Sequence, residues 1–235
     1  MVRCLIFDFD GLILDTEITT FQAWCELYRD RGCELRLERW AQCIGRGQDW
    51  REFFDPYRHL DELLGAPCDH AEVERWTERR HRELLAAQAP RPGVVACLDA
   101  ARRLDLRLAV ASSSSRAWVA GHLERLGLLE RFGLLRCSDD VARHKPFPDL
   151  YLAALDGLGV EAAEAVAFED SPNGVRAAQA AGIFCVAVPN PVTAQLDLTH
   201  ADLRLDSLAD PPLADLLALI DRSRTSRRLA AEHGG

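Results

Sequence analysis

The sequence predicts an α/β fold on a parallel sheet, with a helical domain inserted near the start of the chain. Three observations carry this. Short apolar runs alternate with helix-length segments, the pattern of strand, crossover helix, strand. The runs are continuously apolar, as in strands buried on both faces. Between the first and second runs lies a connection of about seventy residues without a strand signal, far beyond the length of a βα loop.

Taken in order, Arg3 to Phe9 (RCLIFDF) is the first run, stopped by acid and then Gly11. From about Thr16 to Ala89 the chain is dominated by Leu, Ala, Arg, Glu and Trp. Phe21, Trp24, Cys25 and Tyr28 recur at three-to-four spacing there, as do Val73, Trp76 and Leu84, which gives amphipathic helices with one face to bury. Pro90 and Pro92-Gly93 punctuate the return. Strands are then expected at Leu106 to Ala111, Leu134 to Cys137 (the weakest), Ala165 to Phe168 and Ile183 to Val188. The polar segment after Asp221 (RSRTSRRLAAEHGG) is expected to fray or to be a partly ordered appendage. The division expected is therefore a core of residues 1–15 and 90–221, a helical insert of residues 16–89 and a C-terminal tail of residues 222–235.

With 37 acidic against 28 basic residues, the net charge is -9, which argues against a nucleic-acid partner. No stretch approaches the ~18 apolar residues of a membrane helix and no export signal is visible, so a cytoplasmic protein is expected, and a monomer. The eight cysteines are scattered without a C-x-x-C, as expected of free thiols in a reducing compartment. Of the 28 basic residues 27 are Arg, and only Lys145 is Lys.

In an open parallel sheet, chemistry collects outside the carboxyl ends of the strands. The first run ends in Asp8-Phe9-Asp10-Gly11, where alternation puts two carboxylates on one side. Two like charges so close need a counter-ion, or one must stay protonated. The second run ends in Ser112 to Ser115 ahead of a helix, where a serine is either a cap or part of an anion site. The fourth ends in Glu169-Asp170-Ser171-Pro172, which brings the carboxylates at one sheet end to four. Oxygen ligands without a His or Cys pair point to Mg²⁺ rather than Zn²⁺. Lys145, in His144-Lys145-Pro146-Phe147-Pro148, is the one lysine in a chain that otherwise uses Arg, which suggests a place where a compact charge matters.

These residues carry a resemblance. The chain resembles the haloacid dehalogenase-like superfamily, in the branch with a helical cap after the first strand, and within it the group of β-phosphoglucomutases and sugar-phosphate phosphatases. Phe7-Asp-Phe-Asp-Gly-Leu-Ile-Leu-Asp-Thr-Glu17 resembles the family's first motif, Ser112 the second, Lys145-Pro146 the third and Glu169-Asp170-Ser171 the fourth. The resemblance implies a Rossmann-like, doubly wound parallel core with an all-helical cap. It implies that Asp8 is the nucleophile toward phosphorus and Asp10 the general acid and base. It further implies Mg²⁺ held by Asp8, the Asp10 backbone carbonyl and Asp170 with Glu169 beside it, and Ser112, Ser113 and Lys145 on the phosphoryl oxygens. The substrate implied is a small phosphorylated metabolite, with Glu17 and Arg46 as candidates to touch its non-phosphate part.

Relatives that remove halide lack an acid two residues after the nucleophile, whereas Asp10 is present. Relatives that cleave carbon–phosphorus bonds need a cap lysine, and residues 16–89 contain none. A mutase stays open, although Thr20 stands where β-phosphoglucomutases carry His, and Gln48 where they carry an Arg unless Arg46 takes that place. A non-catalytic phospho-ligand binder on the same fold is the reading from another class.

Overall fold

The computed structural model describes residues 1–43 and 50–233. The chain opens with β1 (Cys4–Phe7), then α1 (Thr16–Asp30), the short α2 (Leu37–Trp40) and α3 (Trp50–Phe53), α4 (Pro56–Leu64) and α5 (His70–Ala86). The alternation resumes with α6 (Val94–Arg103), β2 (Arg107–Ala111), α7 (Arg116–Arg125), β3 (Leu134–Arg136), α8 (Asp149–Leu158) and β4 (Ala165–Glu169). It closes with α9 (Pro172–Ala180), β5 (Phe184–Ala187), β6 (Leu203–Arg204) and α10 (Leu213–His233). Carboxylates or hydroxyls start α1, α4, α5, α7 and α9: Asp15, Asp55, Asp69, Ser115 and Ser171 each accept a backbone N–H of the first turn.

Six parallel strands form one sheet in the order β3-β2-β1-β4-β5-β6. Period-two alternation divides the strand side chains between two apolar clusters. Leu5, Phe7, Val110, Val166, Phe168 and Val186 point to one, with Leu98 of α6, Val119 of α7 and Leu216 of α10. Cys4, Ile6, Ala109, Ala167, Cys185 and Ala187 point to the other, with Leu150 of α8 and Val175 of α9. Large residues on one face and small ones on the other explain why the runs read as continuously apolar. The expected strands are all present. β6 is not among the expected strands, being too short for a periodic signal.

The helices between β1 and β2 have a core of their own. Trp24, Tyr28, Trp40, Tyr57, Leu60 and Val73 pack together, joined by Val192 from the loop after β5. Tyr28 Oη donates to the Pro56 carbonyl at 2.6 Å, and Arg80 of α5 holds Glu26 of α1 at 2.5 and 3.1 Å. At the C-terminal end of α5 Leu85 is the residue that is fully covered, against the sheet's own cluster, while Leu84 is only partly so.

Of the two expectations for the segment after Asp221, fraying is not what the structure shows: α10 runs on to His233. Residues 222–233 contain neither Gly nor Pro, and Arg224 ties the helix to the sheet edge by donating to the carbonyls of Ala163 and Ala165 at 2.8 and 2.6 Å. Among the described residues seven cysteines are free, and no helix is long and apolar enough to cross a membrane.

Candidate active site

The chain steps from β1 outward to β2 and β3, then returns to the other side of β1 to form β4. This change of direction opens a crevice at the carboxyl ends of β1 and β4. Phe7 pairs with Phe168, and the Asp8 N–H donates to the Phe168 carbonyl at 3.0 Å, so Asp8 and Glu169 emerge side by side. Lys145 joins them: its Nζ donates to Asp8 Oδ1 at 2.5 Å and to Glu169 Oε1 at 2.6 Å. Tyr151, one turn into α8, gives its hydroxyl proton to the same Oε1 at 2.5 Å. Burial alone would pull the Lys145 ammonium down, but Asp8 and Glu169 outweigh it and hold the amine charged.

Asp10 is held by the junction between β2 and α7. Its Oδ2 accepts from Ser114 Oγ at 2.6 Å and from Ser112 Oγ at 3.4 Å, and its Oδ1 accepts from Trp118 Nε1 at 2.9 Å. Ser115, the last of the serine run, is the helix cap proper and accepts from the Trp118 N–H.

Asp170 is buried on the far side of Asp8. Asn190, after β5, donates from Nδ2 to Asp170 Oδ2 at 2.8 Å, while its Oδ1 accepts the N–H groups of Val192 and Thr193. Gly11 lies beneath that carboxylate at φ +80°, where a Cβ would stand 2.2 Å from Asp170 Oδ2, so the backbone can pass only without a side chain. Arg91, at the return from the helical insert, donates to the carbonyls of Gly11, Val188 and Pro189 and fastens the loops after β1 and β5 together.

The carboxyl oxygens of Asp8, Glu169 and Asp170 lie within 4.8 Å of one another, and all three residues are buried. Burial pushes Asp8 up to about 8, with Glu169 and Asp10 adding to the rise and Lys145 opposing it. Burial likewise raises Asp170, with Asp8, Glu169 and Glu17 adding. One ammonium is thus too little positive charge for the acids gathered here, and Glu169 Oε2 is buried with no hydrogen-bond partner. Crowded hard oxygen donors short of positive charge fit a divalent cation such as Mg²⁺. A second group, Asp61, Cys68 and His70 on the helical insert, is satisfied without an ion: Asp61 accepts from the Cys68 N–H and pairs with His70 Nε2, both at 2.8 Å.

Residues 5–188 match the family model of the haloacid dehalogenase-like hydrolases. The chain belongs to this family. It is 43% identical to YhcW of Bacillus subtilis over 92% of this chain and 97% of that one. It is 35% identical to the fructose-1-phosphate phosphatase YqaB of Escherichia coli, over 78% of this chain and 95% of the relative. CbbY of Rhodobacter sphaeroides, in a crystal structure with phosphate, superposes with a TM-score of 0.67 at 32% identity, covering 89% of this chain and 96% of that one. A mutant form of it was crystallised with xylulose-1,5-bisphosphate.

In this hydrolase one cavity of about 240 Å³ is lined by Asp8, Asp10, Glu17, Ser112, Ser113, Lys145 and Asp170. Of the site residues expected from the sequence, Asp8, Asp10, Glu17, Ser112, Ser113, Lys145 and Asp170 meet there; Glu169 is fully buried and bonded to Lys145 rather than lining the cavity, and Arg46, like Gln48, lies outside the described residues. Glu17 is half-buried at the start of α1, and burial, then Asp10 and Asp15, push its carboxyl up to about 7. The Thr20 hydroxyl donates to the Thr16 carbonyl at 3.0 Å and lies 3.3 Å from Nε2 of His81, which reaches it from α5.

Four contributors escaped the sequence reading: Ser114, Trp118, Tyr151 and Asn190. Asn190 follows the fifth apolar run in Pro189-Asn190-Pro191, so the rule of strand ends would have pointed to it. Ser114 lies inside the serine run and Trp118 on the helix that follows it, and the sequence assigns neither a task. Nothing in the sequence singles out Tyr151 beyond its place on the helix after Lys145.

Proposed function

We propose that this hydrolase is a Mg²⁺-dependent phosphatase of a small phosphorylated metabolite, a sugar phosphate or a similar compound, working through an aspartyl-phosphate on Asp8. The observation that carries the reading is the pairing of two unlike carboxylates over one small cavity. Asp8 is tied to a buried ammonium and Asp10 to neutral hydroxyl and indole donors. Unequal surroundings are how two acids divide nucleophile and proton carrier between them.

An Asp8 carboxylate oxygen forms a bond to phosphorus as the ester P–O bond breaks, and Asp10 gives its proton to the departing alkoxide. Asp10, now a carboxylate, takes a proton from water as that water's oxygen bonds phosphorus and the Asp8–phosphorus bond breaks, which releases inorganic phosphate. Lys145, Ser112 and Ser113 face the same cavity and would hold the phosphoryl oxygens. Asp8, Asp170 and the Asp10 backbone carbonyl, with Glu169 behind them, would hold Mg²⁺, which supplies positive charge between an anionic nucleophile and an anionic phosphate. Glu17, at the cavity rim and readily protonated, is suited to the hydroxyls of a sugar.

A cavity of about 240 Å³ supports a metabolite rather than a phosphoprotein. The names of YqaB and of the CbbY complexes point to sugar phosphates. The mutase keeps one observation in its favour, the His81 imidazole beside Thr20.

The test is phosphate release from a panel of sugar phosphates, nucleotides and β-glucose 1-phosphate, with Asp8→Asn and EDTA as controls. Release from a few small phosphates, lost in both controls, is expected. Conversion of β-glucose 1-phosphate to glucose 6-phosphate with a bisphosphate primer, without net release, would replace the phosphatase by the mutase. Phosphate release undiminished in Asp8→Asn would overturn the aspartyl-phosphate.

A further inference from the structure

Asp10 must deliver its proton in one direction, yet a carboxyl group has two oxygens and can carry the proton on either. The two oxygens here have different partners. Oδ2 faces the hydroxyls of Ser114 (2.6 Å) and Ser112 (3.4 Å), and Oδ1 faces the indole N–H of Trp118 at 2.9 Å. A hydroxyl rotates to give or accept a hydrogen bond, so it tolerates Oδ2 with or without a proton. An indole N–H only donates, and a protonated Oδ1 would direct O–H against N–H.

The ring that carries this N–H is fixed from several sides. His122, one turn further along α7, meets it edge to face at 4.4 Å and lies against Phe9 at 6.2 Å, and His81 of the helical insert approaches it at 6.4 Å. The donor is therefore part of a packed stack rather than a mobile side chain.

Building on the reading of Asp10 as proton carrier, we infer that Trp118 is a positioning residue which reserves Oδ1 as a permanent acceptor. The proton that passes to the leaving group is thereby confined to Oδ2. Ser114 shares the task by steadying Oδ2 between proton transfers. Trp118 itself neither gives nor takes a proton in the reaction.

The experiment separates proton delivery from everything else by varying the leaving group. Phenyl phosphate expels a weakly acidic phenol and needs the proton; 2,4-dinitrophenyl phosphate expels a stable anion and does not. Rapid-mixing measurements of the first equivalent of phenol released compare wild type, Trp118→Phe, Asp10→Asn and Asp8→Asn at saturating Mg²⁺. Trp118→Phe keeps a ring in the stack and removes the N–H. Its rate with phenyl phosphate is expected to fall by about 10²-fold, at the low end of what a general acid supplies. With 2,4-dinitrophenyl phosphate the first equivalent should appear within about threefold of the wild-type rate, as a burst before slow turnover. That tolerance allows about 0.7 kcal/mol of incidental repacking.

An equal fall with both substrates, or no fall with either, overturns the inference. Should Trp118→Phe unfold, 3-benzothienylalanine placed at position 118 keeps the size of the bicyclic ring and replaces N–H by sulfur, and the same split is required of it. Asp10→Asn must show the split as well; if it does not, Asp10 is not the proton carrier and this inference falls with that reading. A first equivalent still released by Asp8→Asn would instead sink the aspartyl-phosphate.

Discussion

Replacing Lys145 by Met removes the one cation between two buried carboxylates while nearly preserving the side chain's volume. Lys145 and Asp8 are 6% and 9% exposed and Glu169 is 0% exposed, so water cannot take over the lost interaction. Breaking a buried ion pair from one side costs about 3–5 kcal/mol. The acids can escape part of this by binding a proton. Starting from a usual value near 4, each pH unit above it makes that proton costlier by about 1.4 kcal/mol. If the variant must bind one proton more than wild type, the deficit is about 4 kcal/mol at pH 7 and about 1.4 kcal/mol at pH 5. The sign follows from linkage. Burial already holds Asp8 above its unfolded value, and the loss of Lys145 raises it further, so the variant's stability is full below about pH 4 and drains away more steeply than that of wild type as pH rises. Urea unfolding at pH 5 and pH 7 in EDTA, followed by tryptophan fluorescence, gives the difference between the two proteins. A deficit equal at both pH values, or larger at pH 5, refutes the claim that Lys145 offsets buried negative charge.

Asn190→Ala removes the donor on Asp170 Oδ2 and leaves every proposed cation ligand in place. The Mg²⁺ concentration for half-maximal activity should rise about 10–100-fold, with kcat at saturating Mg²⁺ little changed. A Mg²⁺ titration indistinguishable from wild type would remove Asn190 from that site. Gly11→Ala forces an alanine to φ +80°, a cost of about 1–2 kcal/mol, and drives its Cβ against Asp170 Oδ2. Urea unfolding should show a loss of at least about 2 kcal/mol, and wild-type stability would refute the close approach.

The parallel core was legible because both faces of its strands are buried, which turns four of them into unbroken apolar runs. The rule that chemistry gathers at strand ends then points to Asp8, Asp10, Glu169 and Asp170, and the scarcity of lysine points to Lys145. What remained hidden depends on distance across the fold. Trp118 reads as an aromatic on a helix until its indole is seen on Asp10, and nothing in the sequence shows that Lys145 and Tyr151 share one oxygen of Glu169. The continuation of α10 was misjudged because polarity was read as fraying, although the segment up to His233 contains no helix breaker.

Because every other basic side chain is a guanidinium, the ammonium between Asp8 and Glu169 is also the one ε-amine in the sequence. Acylating reagents selective for amines have a single side-chain target here, and it is buried and held protonated by two acids. Intact mass spectrometry after exposure to such a reagent therefore counts openings of the site directly. Any acyl group beyond the one on the terminal amine marks a molecule in which Asp8 and Glu169 had let go of their lysine, and a bound anion should slow that mark's arrival.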